Sequence, residues 1–199
     1  MSGLLKNGLT WATILFTLLM GCQQNTNKNP VVVIVTQYGD IECEVYPDKA
    51  PVSAKAFLAF VDSGFYNRSS FYRILSEDNQ PMGSAPASLI QGGLWGTGNK
   101  REYLAGLPHE STKTTGLSHV NGALSLARQD TGTATTEFFI CLGDQPGFDF
   151  GGENNPDGQG YAVFGKVVKG MEVVQKIYRR PEENQFFTPQ IHIIEIKRK

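Results

Sequence analysis

Three short stretches of this chain hold residues whose types and spacing could do chemistry. They are Phe71-Tyr72-Arg73-Ile74, Ile90-Gln91-Gly92-Gly93, and Thr135-Thr136-Glu137-Phe138-Phe139-Ile140-Cys141. One cation, one carboxamide and an apolar floor suit the rotation of a prolyl amide. The barrier to turning a peptide bond is ~18–20 kcal/mol, and at proline the uncatalysed exchange takes roughly tens to hundreds of seconds. A guanidinium that hydrogen-bonds the prolyl nitrogen draws its lone pair away from the carbonyl, and an apolar slot for the ring holds the twisted amide best. Such chemistry needs no nucleophile, acid/base pair or metal.

The rest of the composition excludes several other classes. His109, His119 and His192 are scattered, without the spacing of paired metal ligands, and are expected at the surface or at caps. Cys43 and Cys141 form no CxxC pair and lie in apolar, strand-like sequence, so they are expected as reduced core thiols and no metal is called for. The glycine-rich stretch 92–100, GGLWGTGNK, lacks the spacing and Lys-Ser/Thr of a phosphate loop. Nothing else implies a cofactor. Lys and Arg number 18 against 19 Asp and Glu, a net charge of −1, and the basic residues cluster only at Lys197-Arg198-Lys199. Nucleic acid is therefore not an expected partner.

Positioning those residues falls to a series of short strands. Val31 to Thr36 and Ile41 to Val45 flank Gln37-Tyr38-Gly39-Asp40 as an opening hairpin. From Pro51 the period becomes helical, with Ala54, Phe57, Leu58 and Val61 on one face and Gly64 just past the end. Apolar runs at 69–75, 89–91, 122–127, 137–142 and 161–168 are separated by glycine-rich loops, which argues for a closed antiparallel β structure. A second helix is expected over Met171 to Tyr178, with Val173, Val174 and Ile177 on one face, and a last strand over Ile191 to Ile196. Pattern alone gives an antiparallel barrel with two helices.

Ahead of this domain lie Lys6, an apolar run from Leu9 to Gly21 too short to span a bilayer comfortably, and Cys22. Leu19-Met20-Gly21-Cys22 resembles a bacterial lipobox. Residues 1–21 are then a signal peptide and Cys22 the lipidated N-terminus. Residues 22–30 form a flexible tether, and 31–199 form one domain. This places the protein in the cell envelope, lipid-anchored through Cys22 and facing the periplasm or exterior, with no other membrane contact.

Across 31–197 the order of the opening hairpin, APVSAKAFLAFV, GFYNRSSFYRI, IQGG, GALSLAR, TATTEFFIC and GYAVFGKVVKGMEVV resembles the cyclophilins. The resemblance implies a mainly β fold: a closed eight-stranded antiparallel barrel, capped by an α-helix at each end, with a shallow proline groove outside. It implies a peptidyl-prolyl cis-trans isomerase acting as a monomer on proline-containing polypeptides, with Arg73 as the catalytic arginine. Gln91 would orient that arginine and contact the substrate carbonyl. Phe139 would form the floor, with Phe148, Tyr161, Leu89 and Ser88 around it, and the backbone of Leu126, Ala127 and Arg128 would pair with the substrate as a strand edge can.

Several positions depart from the family pattern. Ser88 stands where the family has phenylalanine, and Gly147 where many members have an aromatic, for which Phe148 or Phe150 would substitute. Glu137 replaces a glutamine. It would pair with Arg73, compete with substrate for its donors, or point to solvent, and Glu137→Gln is expected to raise turnover. The insert 76–88 is longer than a simple hairpin loop and is expected to form a flap over the groove. The alternative functions are a weakly catalytic or non-catalytic proline-peptide-binding chaperone module, and a lipid- or sugar-binding barrel.

Overall fold

The computed structural model describes residues 29–97 and 104–199. The leader 1–21, Cys22 and the tether up to residue 28 lie outside them. Among the described residues no helix is long and apolar enough to cross a membrane.

Among the described residues nine strands form one antiparallel sheet: β1 (Val31–Thr36), β2 (Gly39–Val45), β3 (Ser69–Leu75), β4 (Leu89–Gly93), β5 (Ala123–Leu126), β6 (Phe138–Cys141), β7 (Ala162–Lys169), β8 (Glu182–Glu183) and β9 (Phe186–Arg198). Eight of them run in the order β1-β2-β7-β5-β6-β4-β3-β9, and β1 pairs again with β9, so the barrel closes and leaves no free edge. The two residues of β8 are an added arm, folded back on β9. β9 is more than twice the length expected for the last strand, because it serves β1, β3 and β8 along its course.

Burial alternates along β1 and β2, placing Val32, Ile34, Ile41, Cys43 and Val45 inside. The interior is filled by rings: Phe57 of α1 (Pro51–Asp62) sits 5.6 Å from Phe138 and 4.8 Å from Phe164. A filled interior leaves no room for a lipid or sugar. α1 buries Ala54, Phe57, Leu58 and Val61, as its period predicts, and starts at Pro51 without a side-chain cap of its own. The cap comes from far along the chain. The buried Glu110 accepts hydrogen bonds from the backbone N–H groups of Val52 (3.0 Å) and Ser53 (2.7 Å) and from the Ser53 hydroxyl (2.8 Å).

α3 (Met171–Tyr178) covers the other side through Val174 and Ile177. Both expected capping helices are present, and among the described residues one further short helix joins them. The single turn α2 (Thr112–Thr115), closed by Gly116 at φ 68°, was hidden because four polar residues have no hydrophobic period. Cys43 and Cys141 are both buried and unpaired, and burial pushes both thiols well above their ordinary pKa.

Candidate active site

Arg73, Gln91 and Phe139 lie on three neighbouring strands in one cross-strand row. Arg73 is the register partner of Gln91 between β3 and β4, and Gln91 is the partner of Phe139 between β4 and β6. The row continues through Ser125 of β5 to Val163 of β7. Register partners share a face, so these side chains project together from the outside of the barrel.

A β-bulge makes this possible for Arg73. The pairing of β3 jumps from Phe71–Gly92 to Arg73–Gln91, leaving Tyr72 as the extra residue. Phe71 and Ile74 therefore both point into the core, while the adjacent Tyr72 and Arg73 both face the groove. Strict alternation would have turned Arg73 inward with Phe71.

The groove encloses about 540 Å³. Of the residues expected at the site, Arg73, Leu89, Gln91, Ala127, Arg128, Glu137, Phe139, Phe148 and Tyr161 line it. Its floor is Phe139, with Phe148 at 5.4 Å and Tyr161 at 5.5 Å, the latter edge-on. Ser88 and Leu126 are not part of the lining. Ser88 is held behind the wall, its N–H on Gln145 Oε1 and its carbonyl accepting from Leu142. Leu126 points into the core, and its strand is paired on both sides, with Phe138 and with Ala162. β5 is thus no edge, and beyond it Ala127, Arg128 and Gln129 line the groove.

Two one-way groups give the polar wall its direction. A guanidinium only donates and a carboxylate only accepts. Arg73 Nη1 donates to Gln91 Oε1 (3.3 Å), Gln91 Nε2 donates to the Tyr72 hydroxyl (2.6 Å), and that hydroxyl donates to Glu137 Oε2 (2.7 Å). Each bond in the relay has its sense fixed by the two ends. Glu137 accordingly neither pairs with Arg73 nor points to solvent. Its Oε1 accepts from the Leu94 N–H (3.0 Å) and the Thr136 hydroxyl (3.2 Å). The glycine pair makes the room: a Cβ on Gly93, at φ 147°, would lie 2.5 Å from Glu137 Oε2, and one on Gly92 would lie 2.8 Å from the Phe71 ring.

Arg128 is not available to a substrate through its guanidinium. It forms a bidentate pair with Asp157 (2.7 and 2.8 Å) and donates from Nε to the Gly160 carbonyl (2.9 Å), with its guanidinium 5.4 Å from the Tyr161 ring centre. Its role is to hold the loop that presents Tyr161. Hydrogen bonding from Arg128, helped by the Gln159 N–H, keeps the Asp157 carboxyl far below the usual carboxylate range.

His119, expected at the surface or at a cap, is buried beneath the floor, stacked 5.9 Å from Phe139 at 9°. Its Nδ1 lies 2.7 Å from Asp149 Oδ1 and its Nε2 lies 3.0 Å from Ser125 Oγ. Burial lowers the His119 pKa, against the opposing pull of Asp149. A neutral ring fits both contacts: Nδ1–H donates to the carboxylate and Nε2 accepts from the hydroxyl. The trio resembles a hydrolase triad in composition, but Ser125 is fully buried behind Phe139 and cannot meet a substrate. It braces the floor, and no motif spacing announces it.

The insert 76–88 is not a flap. None of its residues lines the groove, although Leu75 and Leu89 on either side of it do. It lies alongside, tied by Asn154 Nδ2 to the carbonyls of Ala85 and Pro86 (3.2 Å each). The same Asn154 explains Gly147, where an added Cβ would meet Asn154 Oδ1 at 1.8 Å. The space of the missing aromatic is taken by the asparagine that anchors the insert. Phe148 packs in the floor, whereas Phe150 is exposed and carries Lys113 over its ring at 4.8 Å.

Comparison with known proteins agrees with this geometry. Residues 31–198 match the family described as cyclophilin type peptidyl-prolyl cis-trans isomerase/CLD. The chain is 39% identical over 154 residues to a peptidyl-prolyl cis-trans isomerase of Acinetobacter baylyi, covering 77% of this chain and 74% of that protein. It is 36% identical over 148 residues to peptidyl-prolyl cis-trans isomerase B of Escherichia coli, covering 74% and 83%. Among solved structures it is similar to a Cryptosporidium parvum cyclophilin type isomerase crystallised in the presence of the dipeptide Ala-Pro. The TM-score there is 0.67 at 26% identity, covering 85% of this chain and 98% of that one.

Proposed function

This chain belongs to the cyclophilin-type peptidyl-prolyl cis-trans isomerases, and we propose that its groove accelerates Xaa-Pro isomerisation in exported polypeptides, with Arg73 as the catalytic residue. The observation that carries this reading is a guanidinium fixed beside an aromatic floor by neutral acceptors. Arg73 is half-buried, and it donates hydrogen bonds to the amide oxygens of Gln91 and Gln185. Neutral acceptors orient the cation without cancelling its charge. Of the five N–H groups of a guanidinium, those two bonds use two, and the others remain for the nitrogen of a twisted prolyl amide.

The proline ring would rest on Phe139, between Phe148 and Tyr161. Gln91 spends one amide hydrogen on Tyr72 and keeps the second for the carbonyl before the proline. An acceleration of about four decades needs about 5.5 kcal/mol of preferential transition-state binding. A few hydrogen bonds and an apolar slot can supply that in a groove poor in water.

Cis/trans exchange on an Ala-Pro peptide tests the proposal with wild type and Arg73→Ala. Loss of about two decades of kcat/KM in the variant is expected, in line with removal of a transition-state donor. Rates no faster than uncatalysed exchange in both would leave a proline-peptide-binding chaperone module without catalysis, and equal accelerated rates would remove Arg73 from the catalysis. The envelope setting rests on Cys22 at the end of the apolar leader. Fatty-acid labelling of the chain, abolished by Cys22→Ala, is the matching expectation, and an unlabelled wild type would remove the anchor.

A further inference from the structure

We infer that Gln185 is a positioning residue for Arg73, the second jaw of a clamp whose first is Gln91. The inference rests on reading Arg73 as the catalytic group. Arg73 Nη2 donates to Gln185 Oε1 at 2.8 Å, a shorter contact than the 3.3 Å from Nη1 to Gln91 Oε1. Acceptors on both terminal nitrogens oppose rotation about Nε–Cζ, which would exchange the two nitrogens, and rotation about Cδ–Nε, which would turn the plane of the guanidinium. Gln91 alone would leave that plane free to swing.

Gln185 is itself held at every polar group. Its N–H donates to Glu182 Oε2 (2.7 Å), its carbonyl accepts from the Ile74 N–H (2.9 Å), and its Nε2 donates to the Asn79 carbonyl (3.1 Å). It occupies the two-residue turn between β8 and β9 with Asn184, both at positive φ, 52° and 71°. A glutamine in the left-handed region persists where its surroundings over-determine it. The turn hands the arginine an acceptor that is already oriented, and one side chain ties together the catalytic strand, the C-terminal hairpin and the insert.

Two full-chain variants test the clamp. Gln185→Met removes both amide arms at similar length, and Gln185→Asn accepts left-handed backbone more readily but falls short of Arg73. Each should lower kcat about tenfold with KM within about twofold, since a loosened guanidinium is lost to the transition state and not to ground-state binding. Each should also merge the Arg73 Nη proton resonances that the clamp keeps distinct. A kcat within about twofold of wild type in both variants, a loss confined to KM, or unchanged Nη signals overturns the inference. Arg73→Ala is measured alongside. Full activity there would instead sink the role of Arg73, so the two failures are told apart.

Discussion

Strand β6 separates two regions built by opposite means. Inside, Phe138 meets Phe57, Tyr66 and Phe71 at 5.6–5.9 Å, rings packed on rings. Outside, its neighbour Phe139 meets His119, Phe148 and Tyr161 at 5.4–5.9 Å, rings just as close. Yet behind the outer rings stand polar ties, Ser125–His119–Asp149 and Arg128–Asp157, whereas the inner ones are packed among aliphatic side chains, with the hydroxyl of Tyr66 donating to the Thr136 carbonyl. A core can hold itself by filling space. A groove cannot, because one side must stay open, so its floor is held from behind by directional bonds.

The sharpest test of this contrast replaces adjacent residues. Phe138→Ala should cost about 3–5 kcal/mol in urea unfolding, since the closed barrel cannot fill the hole. Phe139→Ala should cost at least about 1 kcal/mol less, because water from the groove can enter the space. It should also lower kcat/KM by about one to two decades through the lost ring contact. Equal destabilisation by the two would show that the outer floor is simply more core.

The ties behind the floor give the next effect. Burial lowers the His119 pKa in the fold, so the unfolded chain binds a proton more readily. Stability from the neutral ring is therefore complete above the unfolded value, about 6.5, and is lost as pH falls from there through the folded value. Unfolding free energy should decline below about pH 6.5, and His119→Gln should flatten that decline. A wild-type curve level from pH 7 to 5 would mean that the ring is not held neutral.

The same contrast explains what the sequence makes legible. Alternation in β1 and β2 and the helical period of α1 record burial on one side of an element, and the barrel follows from them. The outer row does not. Arg73 faces the groove only because of the bulge at Tyr72, which is a matter of pairing with β4 and β9 and leaves no periodic mark. His119 and Asp149 are 30 residues apart, Glu110 caps a helix that starts almost 60 residues earlier, and Gln185 reaches Arg73 across 112. Family likeness finds Arg73, Gln91 and Phe139 because their motifs are local. It is silent on Gln185, and the scattered spacing of the histidines misplaces His119, whose work lies in long-range bonds that no local pattern encodes. The expected flap failed for a related reason. Loop composition reported exposure, but the anchor that draws the insert aside is Asn154, in another loop.

The smallest expected effect concerns the far end of the relay. Glu137 lies two groups away from Arg73, so replacing it neither frees nor blocks the guanidinium directly, and the gain in turnover expected from pairing or competition loses its basis. What the carboxylate supplies is direction. Because it can only accept, Tyr72 must donate to it, Gln91 must donate to Tyr72, and the oxygen of Gln91 is left facing Arg73. Glu137→Gln can donate as well as accept, so the Tyr72 hydroxyl can reverse and the Gln91 amide can turn its NH2 toward the cation. Part of the population would then present Arg73 with a donor. Turnover should fall about two- to fivefold, the cost of an alternative network lying within about 1 kcal/mol. Tyr72→Phe, which cuts the relay outright, should abolish the difference between Glu137 and Gln at that position. An activity that rises in Glu137→Gln, or a difference that survives Tyr72→Phe, would show that the carboxylate acts on the groove by another route.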